Sequence, residues 1–247
     1  MNRGELFQAL NTFRKGLLTL AVVLVLLSLL IFPFSKSLLR HLYNTNLQVD
    51  LVAFGVPEAF FSLFKLTFFA SLFLSVPLIF YRLWKSFEPF FRARGMKSGI
   101  PVFLTATFLF YLGASFCYFI TLPFGVRFLL GYQSAHIKPM ISVAKYTSFC
   151  AVFVFGFGLT FELPLVLALL SILRIVNAPL LTRNRRYAIL LIAIVAAVAT
   201  PTPDFFNMAL MGGPLYLLFE VGVILVKIME RKRARAQTPP TPSYNDP

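Results

Sequence analysis

GFGLTFELPLVLALL, residues 156–170, carries a single acid, Glu162, in an otherwise apolar run. A charged carboxylate at the middle of a bilayer costs about 3 kcal/mol on insertion scales, so a residue of this kind faces a cavity, a polar groove or a partner. Pro164 follows two residues later. It lacks an N–H, so a carbonyl one turn back loses its helical donor. A bent, partly hydrated helix around Glu162 follows from these two residues. The plainer alternative is a protonated glutamate hydrogen-bonded to a neighbouring helix.

Outward from this stretch, the apolar pattern recurs along the whole chain. Of 247 residues, 58% are hydrophobic and 13% charged, whereas soluble domains are about one quarter charged. A spanning helix needs roughly 20 mostly apolar residues. Six runs are expected to serve: 16–32, 60–84, 100–124, 147–173, 187–200 and 205–226. The fifth is short and implies local thinning of the bilayer. Pro33, Phe34, Ser35 and Lys36 follow the first run instead of a small-residue cleavage site, so it reads as an uncleaved span. Residues 34–57 and 125–146 read as loops on one side, the former with a short amphipathic helix near 37–43. Residues 1–230 are expected to form one integral domain. From 231 the chain is basic, then rich in Pro, Thr and Ser, and is expected to be a disordered tail.

The net charge is +14, which in a soluble protein would suggest nucleic acid. Here the basic residues fall in blocks between spans. With the N-terminus in the cytoplasm, seventeen Lys and Arg lie inside and six outside. That asymmetry places both termini inside and requires an even number of spans. It excludes nucleic acid as the expected partner.

No HExxH, GxSxG or phosphate-loop lysine motif occurs, so no enzyme, metal or cofactor is expected. Cys117 and Cys150 lack CxxC spacing and read as small buried side chains. His41 and His136 are isolated. Gly156 and Gly158, in mid-span, read as close-packing positions. Pro77, Pro164 and Pro214 are the expected helix-bending residues. Glu220 is expected to pair with a basic residue or to snorkel, and Asp204 to cap the last span. Glu88 precedes Pro89 and should mark the cytoplasmic end of the second span. It is either a solvated neutraliser of Lys85 and Arg92 or a receiver of an arginine-bearing partner.

Four segments, taken in order and spacing, resemble one family. They are PEAFFSLFKLTFFASLFLSVPLIFYRLWKSFEP (57–89), FLFYLGASFCYFITLPFGVRFL (108–129), SFCAVFVFGFGLTFELPL (148–165) and RRYAILLIAIVAAVATPTPDFFNMALMGGPLYLLFEVGV (185–223). The chain is similar through them to the TatC subunit of the twin-arginine translocase. The resemblance implies an all-α membrane protein of six helices in a curved, glove-like bundle, in the bacterial inner membrane with both ends cytoplasmic. It implies a receptor for twin-arginine signal peptides of folded precursors. It also implies assembly, in several copies, with single-span TatA/TatB-type partners and transport driven by the proton motive force. The family's intramembrane glutamate falls on Glu162. Its two signal-reading acids fall on Thr12 and Gly95, and the aromatic after its loop tryptophan on Ser86. An arginine needs a carboxylate for bidentate contact, which Thr and Gly lack. Glu5 and Glu88 take over, or the signal is recognised differently, or the cargo has changed. A proton-coupled secondary transporter using Glu162 is the alternative reading, although it would favour internal repeats that are not seen.

Overall fold

The structure, a computed structural model, describes residues 3–46, 51–92, 99–130, 140–199 and 205–237. Five helical stretches among them are long and apolar enough to cross a bilayer: Leu18–Tyr43, Pro57–Ser86, Ile100–Arg127, Val143–Ile172 and Met211–Arg233. Leu18, Val22, Val25, Leu26, Leu29 and Leu30 are exposed along the first of them. So continuous an apolar face suits lipid and not water.

The chain divides between Glu162 and Leu163 into two compact units. In the first, α1 (Arg3–Ile31) passes through a single 3₁₀ turn into α2 (Ser35–Asn46). The strand pair β1 (Leu51–Val52) and β2 (Ile141–Ser142) is parallel and only two residues long. Helix α3 (Val56–Arg92) packs on α1 and on α4 (Ile100–Phe116), which runs through a π turn at Cys117–Thr121 into α5 (Leu122–Leu130). Helix α6 (Val143–Phe161) packs on both α3 and α4.

A polar stripe lets α3 lie deep in this unit. Ser62, Thr67, Ser71 and Ser75 are buried. Each hydroxyl donates to the carbonyl four residues back, at 2.6–2.8 Å. Satisfied within their own helix, these small residues permit close packing without orphaned polar atoms. Ser28 Oγ donates to Ser71 Oγ at 3.0 Å and ties α1 to the same stripe.

Helix α3 continues through Pro77 without interruption. Pro77 cannot donate to the Phe73 carbonyl. The Tyr111 hydroxyl of α4 donates to that carbonyl instead, at 3.1 Å. A neighbouring side chain thus restores the bond that the proline removes, the condition on which proline is tolerated inside membrane helices. Helix α3 continues through Glu88 and Pro89 to Arg92, so the helix outruns the apolar span, Pro57–Ser86, which closes just before Glu88. Near a helix end, the carbonyl that Pro89 leaves unpaired costs little because water can reach it.

The second unit contains α7 (Leu163–Ile172), α8 (Ala178–Arg183), α9 (Arg185–Ala199) and α10 (Phe205–Gln237), with α10 packed on the other three. A Cβ at Gly222 would stand 2.6 Å from Leu167 and 3.2 Å from the Pro164 backbone, so only glycine lets α10 approach α7 there. Helix α10 holds Pro214 within it and runs on through the basic residues to Gln237. Residues 231–237 therefore extend a helix and do not open the tail. Two contacts hold this end: Glu230 Oε1 accepts from the Ala178 N–H at 3.0 Å, and Arg233 Nη1 donates to the Ser171 carbonyl at 3.1 Å. Helix α9, the fifth expected span, has 15 residues. At 1.5 Å per residue it rises about 22 Å, against a hydrocarbon core of about 30 Å. The expectations for His136, Asp204 and the tail beyond Gln237 fall outside the described residues.

Candidate functional site

Ser142 starts α6: its hydroxyl accepts from the Lys145 N–H at 3.2 Å, an N-cap. The helix then runs apolar for five turns and stops at Phe161. Glu162 is a one-residue break, with φ −73° and ψ −13°, before α7 begins at Leu163. Its N–H donates to the Leu159 carbonyl at 3.2 Å, three residues back, so the last turn is tightened. Pro164 explains the break, since it removes the next helical donor and disfavours helical geometry one residue earlier. The helix is thus interrupted at the residue where the sequence predicts a bend.

Reciprocal packing fixes the turn that precedes it. A Cβ on Gly158 would meet the Phe110 ring at 2.6 Å, and one on Gly113 would meet Phe161 at 2.5 Å. Each helix thus seats a phenylalanine on the other's glycine. Phe110 is fully buried, with Phe155 and Phe73 at ring-centroid distances of 5.3 and 5.6 Å. Gly158 is the close-packing residue expected from sequence, whereas Gly156 has open space where its Cβ would be.

Glu162 itself is 7% exposed, and its buried Oε1 accepts no hydrogen bond among the described residues. A buried acceptor left without a donor costs roughly 1–3 kcal/mol. Such an atom keeps its acceptor capacity unused among the described residues. Glu220 differs. Arg185 Nη2 donates to its Oε2 at 2.8 Å and the Tyr216 hydroxyl to its Oε1 at 2.9 Å. It is the paired carboxylate that the sequence suggests.

Of the two candidate signal-reading acids, Glu88 alone has a described side chain. Glu88 lies in the last turns of α3, half-buried. Glu5 and Thr12 belong to the backbone of α1, their side chains outside what is described, and Gly95 lies outside the described residues. Trp84 packs against Gly99, where a Cβ would come within 1.6 Å of the indole, and so holds the end of α3 against the start of α4.

Sequence reasoning missed Glu58. Its Oε2 accepts from the Phe54 N–H at 2.7 Å and its Oε1 from the Ser142 hydroxyl. One acid thereby joins the start of α3 to the cap of α6. Pro57 followed by an acid in a first helical turn was the local signal. Its partner lies 84 residues on, where no local pattern points.

Comparison with known proteins follows the same lines. The family described as Sec-independent protein translocase protein (TatC) matches residues 8–214. The chain is 32% identical to the Sec-independent protein translocase protein TatC of Carboxydothermus hydrogenoformans, over 92% of this chain and 94% of that protein. It is 33% identical to the TatC protein of Deinococcus radiodurans, over 97% and 92% respectively. A crystal structure of a twin-arginine translocase receptor, TatC, superposes with a TM-score of 0.76 at 30% identity, covering 90% of this chain and all of that one.

Proposed function

This chain belongs to the TatC family of Sec-independent protein translocase proteins, and from that membership we propose that it receives twin-arginine signal peptides of folded precursors. It works as the core subunit of the translocase, a non-enzymatic, multi-pass membrane protein. It assembles in several copies with TatA/TatB-type single-span partners, and the proton motive force drives export. The bilayer is the bacterial inner membrane. The seventeen-to-six division of basic residues supports cytoplasmic termini and an even number of spans. Helix α9 then serves as a sixth span in a locally thinned bilayer.

The observation that carries this reading is the buried, unpartnered Oε1 of Glu162 at a helix break. A polar side chain on a partner's helix, or on an inserted signal, would supply the missing donor. Pro164 keeps the break open, and Pro77 and Pro214 are the further bending positions. On the cytoplasmic side Glu88 and Glu5 replace the carboxylates that Thr12 and Gly95 lack.

Membrane vesicles containing this chain, its single-span subunits and a folded precursor with a twin-arginine signal test the function. Uptake is expected only with an intact arginine pair and a proton gradient; uptake indifferent to both would contradict it. In the same vesicles, Glu88→Gln is expected to weaken signal-peptide binding about tenfold, the scale of one charge-assisted hydrogen bond. Equal affinity would remove Glu88 from the site.

A further inference from the structure

The first unit holds a second feature, separate from Glu162. A cavity of about 540 Å³ opens among α2, α3, α4 and α6. Leu66, Phe69, Ala70, Phe73, Val154 and Phe155 make most of its apolar wall, and Leu38, His41 and Leu42 of α2 roof it. From Leu66 to Leu74 it follows α3 for eight residues, about 12 Å. That is less than half of a hydrocarbon core of about 30 Å. At its deep end Phe73 and Phe155 close on the fully buried Phe110. The groove is therefore blind and about one leaflet deep.

Those dimensions choose the occupant. A transmembrane helix needs a groove that crosses both leaflets, whereas an acyl chain ends inside one. His41 of α2 brings a polar ring to the cavity beside Tyr118. The His41 and Tyr118 rings lie parallel within 12° at 6.4 Å, and the buried Tyr118 hydroxyl has no hydrogen-bond partner among the described residues. Lys65 lies exposed beside the groove, one turn before Phe69, and Lys36 and Arg40 are exposed on α2. No acid lines the cavity among the described residues. Cations above an apolar slot suit a phosphate joined to a hydrocarbon tail.

We propose that this groove holds one acyl chain of an anionic phospholipid from the leaflet on the α2 side, with its phosphate toward Lys65, Arg40 and the Tyr118 hydroxyl. The bound lipid fills the wall between α3 and α6. The proposal needs the membrane placement of the chain and not the identity of any translocation partner.

Native mass spectrometry tests it on the purified full-length chain, released from vesicles of equal phosphatidylglycerol and phosphatidylcholine. One phosphatidylglycerol per chain is expected to survive delipidation. Ala70→Trp, or Ala151→Trp from the opposite wall, is expected to lower that retention about tenfold. Lys65→Gln with Arg40→Gln should keep a lipid but lose the preference for phosphatidylglycerol. Undiminished retention in a folded tryptophan variant, or no retained lipid in the unaltered chain, overturns the proposal. Should both tryptophan variants fail to fold, a phosphatidylglycerol with a photoreactive acyl terminus decides on the unaltered chain. Labelling of Phe69–Leu74 or Val154–Phe155 supports the groove, and labelling confined to other segments overturns it.

Discussion

Glu162 and Glu220 each place a carboxylate inside an apolar helix, and the two are treated in opposite ways. Glu220 lies in continuous α10, with both oxygens engaged by Arg185 and Tyr216. Glu162 lies at a break, with one buried oxygen left open. A paired carboxylate has met its requirement within its own unit and contributes to holding α9 against α10. An open buried oxygen keeps a desolvation cost that no hydrogen bond among the described residues relieves. The packing around it explains why the cost is borne: two glycines and two phenylalanines fix the end of α6, so the carboxylate cannot relax toward another helix.

The contrast can be broken at its scaffold, at its ion pair or at the carboxylate itself. Gly158→Leu should have the largest effect. It drives a side chain into Phe110 and should lower stability by about 2–3 kcal/mol, the overpacking range, with thermal unfolding in detergent as the readout. Its first loss should be protection of α4 and α6 in hydrogen exchange, not of α9 and α10. Arg185→Ala should come next, at about 1 kcal/mol, because Arg185 is 40% exposed and its pair is partly screened. A double-mutant cycle with Glu220→Gln measures that coupling, and a coupling near zero would remove the ion pair from the comparison. Glu162→Gln should have the smallest effect on stability, within about 0.5 kcal/mol or slightly stabilising, since it removes a buried carboxyl group whose Oε1 has no donor among the described residues. A loss as large as that of Arg185→Ala would mean that Glu162 is paired after all.

Most of the spans were legible because a bilayer imposes runs of apolar residues that are easy to see. The break at Glu162 was legible because proline chemistry is local. Helix ends were less so. Pro89 read as a stop, but near the end of α3 the missing bond costs little. Residues 231–237 read as the start of a disordered basic tail, yet Lys, Arg, Ala and Gln are tolerated or favoured in helices, and at this end Glu230 and Arg233 find a donor on α8 and an acceptor on α7, respectively. The partner of the carbonyl that Pro77 frees was equally hidden: Tyr111 is 38 residues from the carbonyl it serves, and no pattern in α3 announces it. Glu58 was passed over for the same reason. The intramembrane carboxylate was thus visible in sequence, while the contacts that show whether a polar group is satisfied are long-range and were not.

The central claim is that Glu162 is kept open for a donor from another chain and that Glu220 is not. Site-specific photo-crosslinking from a position on α6 next to Glu162 to the single-span subunits, in native membranes, tests it most directly. Glu162→Ala is expected to lower that crosslink at least about tenfold, the cost of one charge-assisted hydrogen bond, while the thermal midpoint is retained and Glu220→Gln leaves the crosslink within about twofold. An undiminished crosslink in folded Glu162→Ala, or an equal loss in both variants, would contradict the account.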